Sequence, residues 1–139
     1  MIARGEGRAG LNVTDSDRLG IERAYALARL NWAEGGLPIG AVLVQGGAVV
    51  AQGRNRLVRD GDPTAHGEID CLRAGGRRES YAGTTLVTTL SPCPMCAGAL
   101  LHFKVPRLVI GENRHAGGRE EFLRRAGVEV VVLDDAACW

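Results

Sequence analysis

Apolar residues recur along the chain with two different periods, and the changes of period mark out the elements. Ile21, Ala24, Tyr25, Ala28 and Trp32 return at helical spacing, which gives a helix one apolar face. Thr14, Asp15, Ser16 and Asp17 offer capping oxygens and first-turn carboxylates ahead of it, and Gly35-Gly36 stops it. Residues 39–44 and 48–53 then predict a β-hairpin around Gln45-Gly46-Gly47. A polar loop over 54–63 follows, and next a helix over about 65–74, closed by Gly75-Gly76. The β-branched run 84–90 predicts a buried strand. A helix over 95–103, a strand over 107–111, a helix over 119–126 and a strand over 128–133 complete the pattern. After the hairpin, this order of strand and helix implies parallel strands joined by crossover helices. The expectation is an α/β fold, a three-layer α/β/α sandwich with a five-stranded mixed sheet. Residues 1–14 are expected to form a flexible N-terminal tail. Residues 15–139 are expected to form a single domain, since neither linker nor internal repeat divides them.

Composition narrows the function classes. Hydrophobic content of 45% and charged content of 24% are ordinary for a soluble globular chain. Lys+Arg of 17 against Asp+Glu of 16 leaves a net charge of +1, which argues against a polyanion-binding surface and hence a nucleic-acid partner. No apolar run approaches the roughly 20 residues that span a bilayer, so no membrane partner is expected. The first residues lack the apolar core of a secretory signal. A cytoplasmic location is therefore expected, where thiols stay reduced and cysteines tend to be ligands or catalysts.

The candidate chemistry lies in the stretch LSPCPMCAGAL, where Cys93 and Cys96 stand three apart. Such a pair serves redox couples, structural zinc and catalytic metal sites alike. Upstream, PTAHGEID puts His66 and Glu68 at the start of the second long helix, as Cys93 and Cys96 are at the start of the third. Crossover helices can bring these N-termini together, giving zinc one imidazole and two thiolates. Three protein ligands with an open fourth position is the catalytic pattern, whereas structural zinc is closed by four. The partial positive charge of a helix N-terminus also favours thiolates. Glu68, two residues from His66, reaches the same cavity as a proton carrier; zinc lowers the pKa of water toward about 7, and a neighbouring carboxylate can move its proton. His-x-Glu followed by Pro-Cys-x-x-Cys is the pattern of zinc deaminases. A thioredoxin-like couple would leave His66 and Glu68 unexplained, and a closed structural site would need Cys71 or His102 as fourth ligand. Cys71 reads as core, Cys138 has no near partner in sequence, and His102 and His115 read as surface or loop histidines. Asp62 reads as a turn residue and Asp70 as a solvated helix position.

These residues carry a resemblance. The chain resembles the cytidine and deoxycytidylate deaminase superfamily, most closely its small cytosine deaminases of fungal type. The similarity runs over 34–135, from EGGLPIGAVLV through HGEI and TTLSPCPMCAGAL to VIGEN and VEVVVLDD. It implies a cytidine deaminase-like fold, a homodimer, and one catalytic Zn2+ per chain held by His66, Cys93 and Cys96, with Glu68 as proton shuttle. It also implies that Asn55 hydrogen-bonds the pyrimidine, through an amide offering both donor and acceptor, and that the backbone of Gly67 and Ser91 meets the base. The substrate it implies is a small free nucleobase, cytosine converted to uracil and ammonia, with isocytosine or guanine as alternatives.

The pattern departs from the fungal enzymes in two places. Their segment after GEN carries an aromatic residue over the pocket, where this chain reads Arg114-His115-Ala116. They also continue into a C-terminal helix with an aromatic lid and an acidic substrate contact, where this sequence ends at Cys138-Trp139. Trp139 is expected either to replace the lid or to pack on the surface. DPTAH and PCPMCAGA also resemble bacterial tRNA adenosine deaminases, which need a basic surface for RNA. Arg54, Arg56, Arg59, Arg77 and Arg78 are the candidates for one. A third reading, a non-catalytic deaminase-like binding domain, would be marked by loss of the shuttle carboxylate, and Glu68 is present.

Overall fold

Strands β1 (Gly40–Gln45), β2 (Ala48–Arg54), β3 (Thr84–Leu90), β4 (Arg107–Glu112) and β5 (Glu129–Val132) form one sheet in the order β2-β1-β3-β4-β5. The computed structural model describes residues 12–115 and 117–139. β1 pairs antiparallel with both β2 and β3, while β3, β4 and β5 run parallel, so the sheet is mixed. Alternation along the strands sends successive side chains to opposite faces. Val42, Val44, Val87, Val109 and Val131 meet Ile21, Ala24 and Leu27 of helix α1 (Asp15–Ala33) on one face. Ala41, Leu43, Leu86, Leu108 and Ile110 pack on the other face. They meet Cys71 and Leu72 of α3 (Gly67–Gly75), Leu100 of α4 (Pro94–His102) and Leu123 of α5 (Glu120–Arg125). Helices on both faces make the three layers read from the sequence. Leu43, Leu86, Leu100, Leu108 and Leu123 are fully buried, and each such side chain contributes about 1.5–3 kcal/mol.

Two close approaches fix the helices on the sheet. A Cβ on Gly40 would lie 2.3 Å from Ala24 O, and one on Gly53 would lie 2.2 Å from Cys71 N. Glycine therefore lets α1 press on β1 and the middle of α3 on β2.

The loop expected over 54–63 contains a one-turn helix α2 (Leu57–Asp60), too short for periodicity to reveal. The expected N-terminal tail lies outside the described residues up to 11. Thr14 is the N-cap of α1: its Oγ1 accepts from Asp17 N at 3.1 Å, and its N donates to Asp17 Oδ2 at 2.9 Å. Among the described residues no helix is long and apolar enough to cross a membrane.

Candidate active site

Helices α3 and α4 bring their first residues together at one end of the sheet. His66 is the N-cap of α3 and Cys93 the N-cap of α4, with Pro94 in the first turn, where a missing N–H is not needed. His66 Nδ1 lies 3.4 Å from Cys93 Sγ and 3.6 Å from Cys96 Sγ. All three donor atoms fall within 4.8 Å of one another. Tetrahedral zinc with Zn–N of about 2.1 Å and Zn–S of about 2.3 Å requires an N···S distance of about 3.6 Å, so the spacing fits that ion. Cys93 Sγ also accepts from Cys96 N at 3.4 Å, which places the sulfur on the orphan N–H groups of the helix start.

Glu68 lies in the first turn of α3 and is 4% exposed. Burial pushes its carboxyl up to about 7, against the opposing pull of its own backbone N–H and of Cys96. Burial, then the negative charges of Glu68 and Cys93, push the Cys96 thiol far above its ordinary value. One imidazole and two sulfurs converging at these distances, beside a buried carboxyl, are a donor set that fits a bound zinc ion. Cys71 is fully buried, with burial pushing its thiol up to about 12, and it packs in the core as expected.

Asn55 is 2% exposed and follows β2 directly. Its Oδ1 accepts from Leu57 N at 3.0 Å, its N donates to Ile39 O at 3.1 Å, and its carbonyl accepts from Asn31 Nδ2 at 2.7 Å. Oδ1 thus closes an i, i+2 turn onto the first N–H of α2, and the amide turns its Nδ2 donor away from that bond. The bond from Leu57 N uses one lone pair of Oδ1 and fixes the orientation of the amide, leaving Nδ2 and the second lone pair for a ligand. Gly67 opens α3 beside this segment, its Cβ position 3.7 Å from Asn55 N. Ser91 is buried; its N donates to Glu112 O at 2.9 Å, so the backbone group it retains for a ligand is its carbonyl.

Four residues around the site differ from or add to the sequence reading. Asp70, expected in solvent, is 7% exposed and accepts from Arg54 N at 3.0 Å and Arg56 Nε at 2.8 Å. Proximity to β2, not its place on the helix, decides its burial. Glu112 is 2% exposed and accepts from Arg114 N at 2.5 Å, His115 N at 3.1 Å and His115 Nδ1 at 2.8 Å. Glu120 accepts from Ser91 Oγ and, at 3.2 Å, from Gly118 N. Asn31, on α1, is fully buried against Asn55. Asp70 and Glu112 lie within the PTAHGEID and VIGEN segments without being candidate site residues there, Glu120 lies in none, and Asn31 sits on the apolar stripe of its helix, three residues after Ala28.

The other sequence expectations have definite places. His115 is exposed and bound to Glu112, and His102 is exposed at the end of α4. Asp62 accepts from Thr64 N at 2.9 Å in a turn. Ala116 lies outside the described residues. Trp139 is 49% exposed, with the Arg114 guanidinium 3.4 Å from its ring centre and its Nε1 donating to Asp134 at 3.2 Å. With Tyr25, Trp32, Pro38 and Cys138 it lines a recess of about 430 Å³, which includes none of His66, Glu68, Cys93 or Cys96. Donor chemistry, not cavity size, locates the site.

Residues 14–112 match the family model described as the cytidine and deoxycytidylate deaminase zinc-binding region. The chain is 39% identical over 129 residues to a cytosine deaminase of Candida albicans, covering 91% of this chain and 86% of that protein. It is 42% identical over 100 residues to a tRNA-specific adenosine deaminase of Buchnera aphidicola, covering 70% of this chain and 62% of the relative. A solved structure of guanine deaminase from Nitrosomonas europaea superposes with a TM-score of 0.76 at 26% identity, over 92% of this chain and 82% of that one. With the metal-binding trio assembled on such a sheet, the chain belongs to the cytidine and deoxycytidylate deaminase family and is a zinc-dependent aminohydrolase.

Proposed function

We propose that this chain deaminates a free amino-pyrimidine base, cytosine first, to the corresponding oxo base and ammonia. The observation that carries the substrate choice is the 39% identity to a cytosine deaminase over 91% of this chain. Electrostatics support a small substrate over RNA. Arg54 and Arg59 both bind Glu34, at 2.8 and 3.0 Å, and Arg56 binds Asp70. Three of the five arginines that a tRNA-binding surface would use are therefore matched by carboxylates.

In this reading His66, Cys93 and Cys96 hold one zinc ion, whose Lewis acidity makes water reactive near neutral pH. Asn55 Nδ2 donates to an acceptor on the base, with the backbone of Gly67 and Ser91 beside it. Glu68 takes a proton from the water as its oxygen bonds to the amino-bearing ring carbon, and delivers it to the adjacent ring nitrogen. A second proton passes through Glu68 from the new hydroxyl to the amino group. The carbon–nitrogen bond then breaks, and water plus amino base become oxo base plus ammonia. Burial raises the Glu68 carboxyl and a bound zinc ion would lower it, and these opposing pulls suit a group that both accepts and donates a proton.

A homodimer and a cytoplasmic location belong to the same reading. The first is supported by exposed Met95 and Phe103 on and after α4, and by the frequency of symmetric pairs. The second is supported by four cysteines that are all free of disulfides. Sedimentation as a monomer at micromolar concentration would overturn the dimer. The likeness to a guanine deaminase structure favours guanine as second substrate reading. The test of substrate is ammonia release from cytosine, isocytosine, guanine, adenine, cytidine and a tRNA anticodon stem-loop. Turnover of cytosine is expected; turnover of the stem-loop alone would overturn the free-base reading.

A further inference from the structure

We propose that Asn31, a helix residue far from the metal ligands in sequence, is a positioning residue that sets the reach of Asn55 into the pocket. The proposal rests on the reading that Asn55 meets the substrate. Asn31 is 0% exposed, in the C-terminal half of α1, among positions that otherwise hold apolar side chains. Its amide nitrogen has two hydrogens and meets two carbonyls, Leu37 O at 2.5 Å and Asn55 O at 2.7 Å. The choice of nitrogen for this position is dictated, because a carbonyl oxygen there would face two others. The cost is visible: Asn31 Oδ1 is buried without a hydrogen-bond partner. An alanine or leucine on this stripe would avoid that penalty.

What the arrangement achieves is a complete fixing of the Asn55 backbone. Its carbonyl is held by Asn31 and its N–H by Ile39 O, while the N–H groups of its neighbours Arg54 and Arg56 are held by Asp70 Oδ2 and Ala65 O. Leu37 and Ile39 belong to the segment between α1 and β1, so Asn31 ties that segment and Asn55 to the same helix. Gly36 is part of the device, since a Cβ there would lie 2.7 Å from Asn31 Nδ2. With its backbone held and Oδ1 oriented by Leu57 N, the Asn55 amide takes a direction set by contacts from α1 on one side and α3 on the other. A merely structural Asn31 would close the turn after α1 through Leu37 and have no effect on catalysis beyond stability.

A double-mutant cycle separates these roles. Asn31→Ala is expected to keep its zinc and its cooperative melt while lowering kcat/KM about tenfold on the base the wild type deaminates best. In an Asn55→Ala background the same change is expected to cost nothing further, because no side chain remains to be aimed. An equal loss in both backgrounds, or no loss in the first, would overturn the proposal. Should Asn31→Ala lose its cooperative melt, Asn31→Ser carries the cycle instead. Amide hydrogen exchange of Asn55, expected to accelerate in the Asn31 variant and not in Glu68→Ala, provides a readout independent of turnover. If cytosine is not the substrate, the cycle run on the active compound still decides the role of Asn31.

Discussion

The imidazole of His66 and the thiol of Cys93, 27 residues apart in the chain, face each other as N-caps of neighbouring helices with Nδ1 and Sγ 3.4 Å apart. Each helix start contributes ligands and partial positive charge together, so the site is specified by where two helices begin.

Cys96 completes the trio from inside the second helix, and its removal leaves two donors. Cys96→Ala is expected to purify with well under one zinc per chain, whereas the wild type holds one. Metal analysis of both proteins checks this, and equal zinc in the two would remove Cys96 from the ligand set. The variant should also melt lower, because metal bound to the folded state alone stabilises it by mass action.

Glu68, a buried carboxylate beside the trio, is the proton carrier of the proposed mechanism. Glu68→Gln is nearly isosteric and is expected to retain zinc and fold while losing about 10²–10⁴-fold in kcat. Steady-state rates together with zinc content distinguish this from a ligand role. Loss of the metal in Glu68→Gln would mean that the carboxylate holds the ion.

Much of this was legible in the sequence for a physical reason. Periodicity reports which face of an element is buried, so the five strands and the long helices were readable, as were ligands placed at helix starts by local spacing. The partners of buried polar groups were not. Asp70 looks solvated from its own helix, and only the approach of β2, permitted by Gly53, buries it. Glu112 and Glu120 act on segments whose packing no local pattern encodes. The one-turn α2 is shorter than any period, yet its first N–H binds Asn55 Oδ1 and so orients that amide.

The Asp17–Arg107 pair anchors α1 to the sheet and makes an acid-sensitivity prediction. Arg107 binds both oxygens of Asp17, at 2.6 and 2.8 Å, and Asp17 is 2% exposed. Burial alone would raise the Asp17 carboxyl, but the hydrogen bonds and charge of Arg107 and the bonds to Thr14 outweigh it and hold it below its ordinary value of 3.8. A carboxylate whose folded value is depressed stabilises the fold fully above its unfolded value and loses that contribution as pH falls through the folded one. Asp17→Asn is therefore expected to melt lower at pH 7, by about 3 kcal/mol for a broken buried pair. The gap should stay level down to about pH 4.5 and shrink below it. Thermal melts across that range check the sign; a gap that widens in acid would contradict it.

Glu120 joins two segments that both border the site. Its carboxylate accepts from Ser91 Oγ, in the segment leading from β3 to the zinc cysteines, and from Gly118 N in the loop before α5. That loop has no Phe, Tyr or Trp among 113–119, so its placement depends on polar ties, with Glu112 holding its first half and Glu120 its second. Glu120→Ala frees the Ser91 hydroxyl and the loop end at once, and is expected to raise KM about tenfold with zinc content unchanged. Glu120→Gln keeps an acceptor for the Ser91 hydroxyl and is expected to recover most of the loss. Kinetics on both variants decide the matter. If Gln is no better than Ala, the negative charge of Glu120 matters rather than the tie to Ser91; if Ala matches the wild type, the loop is held without it.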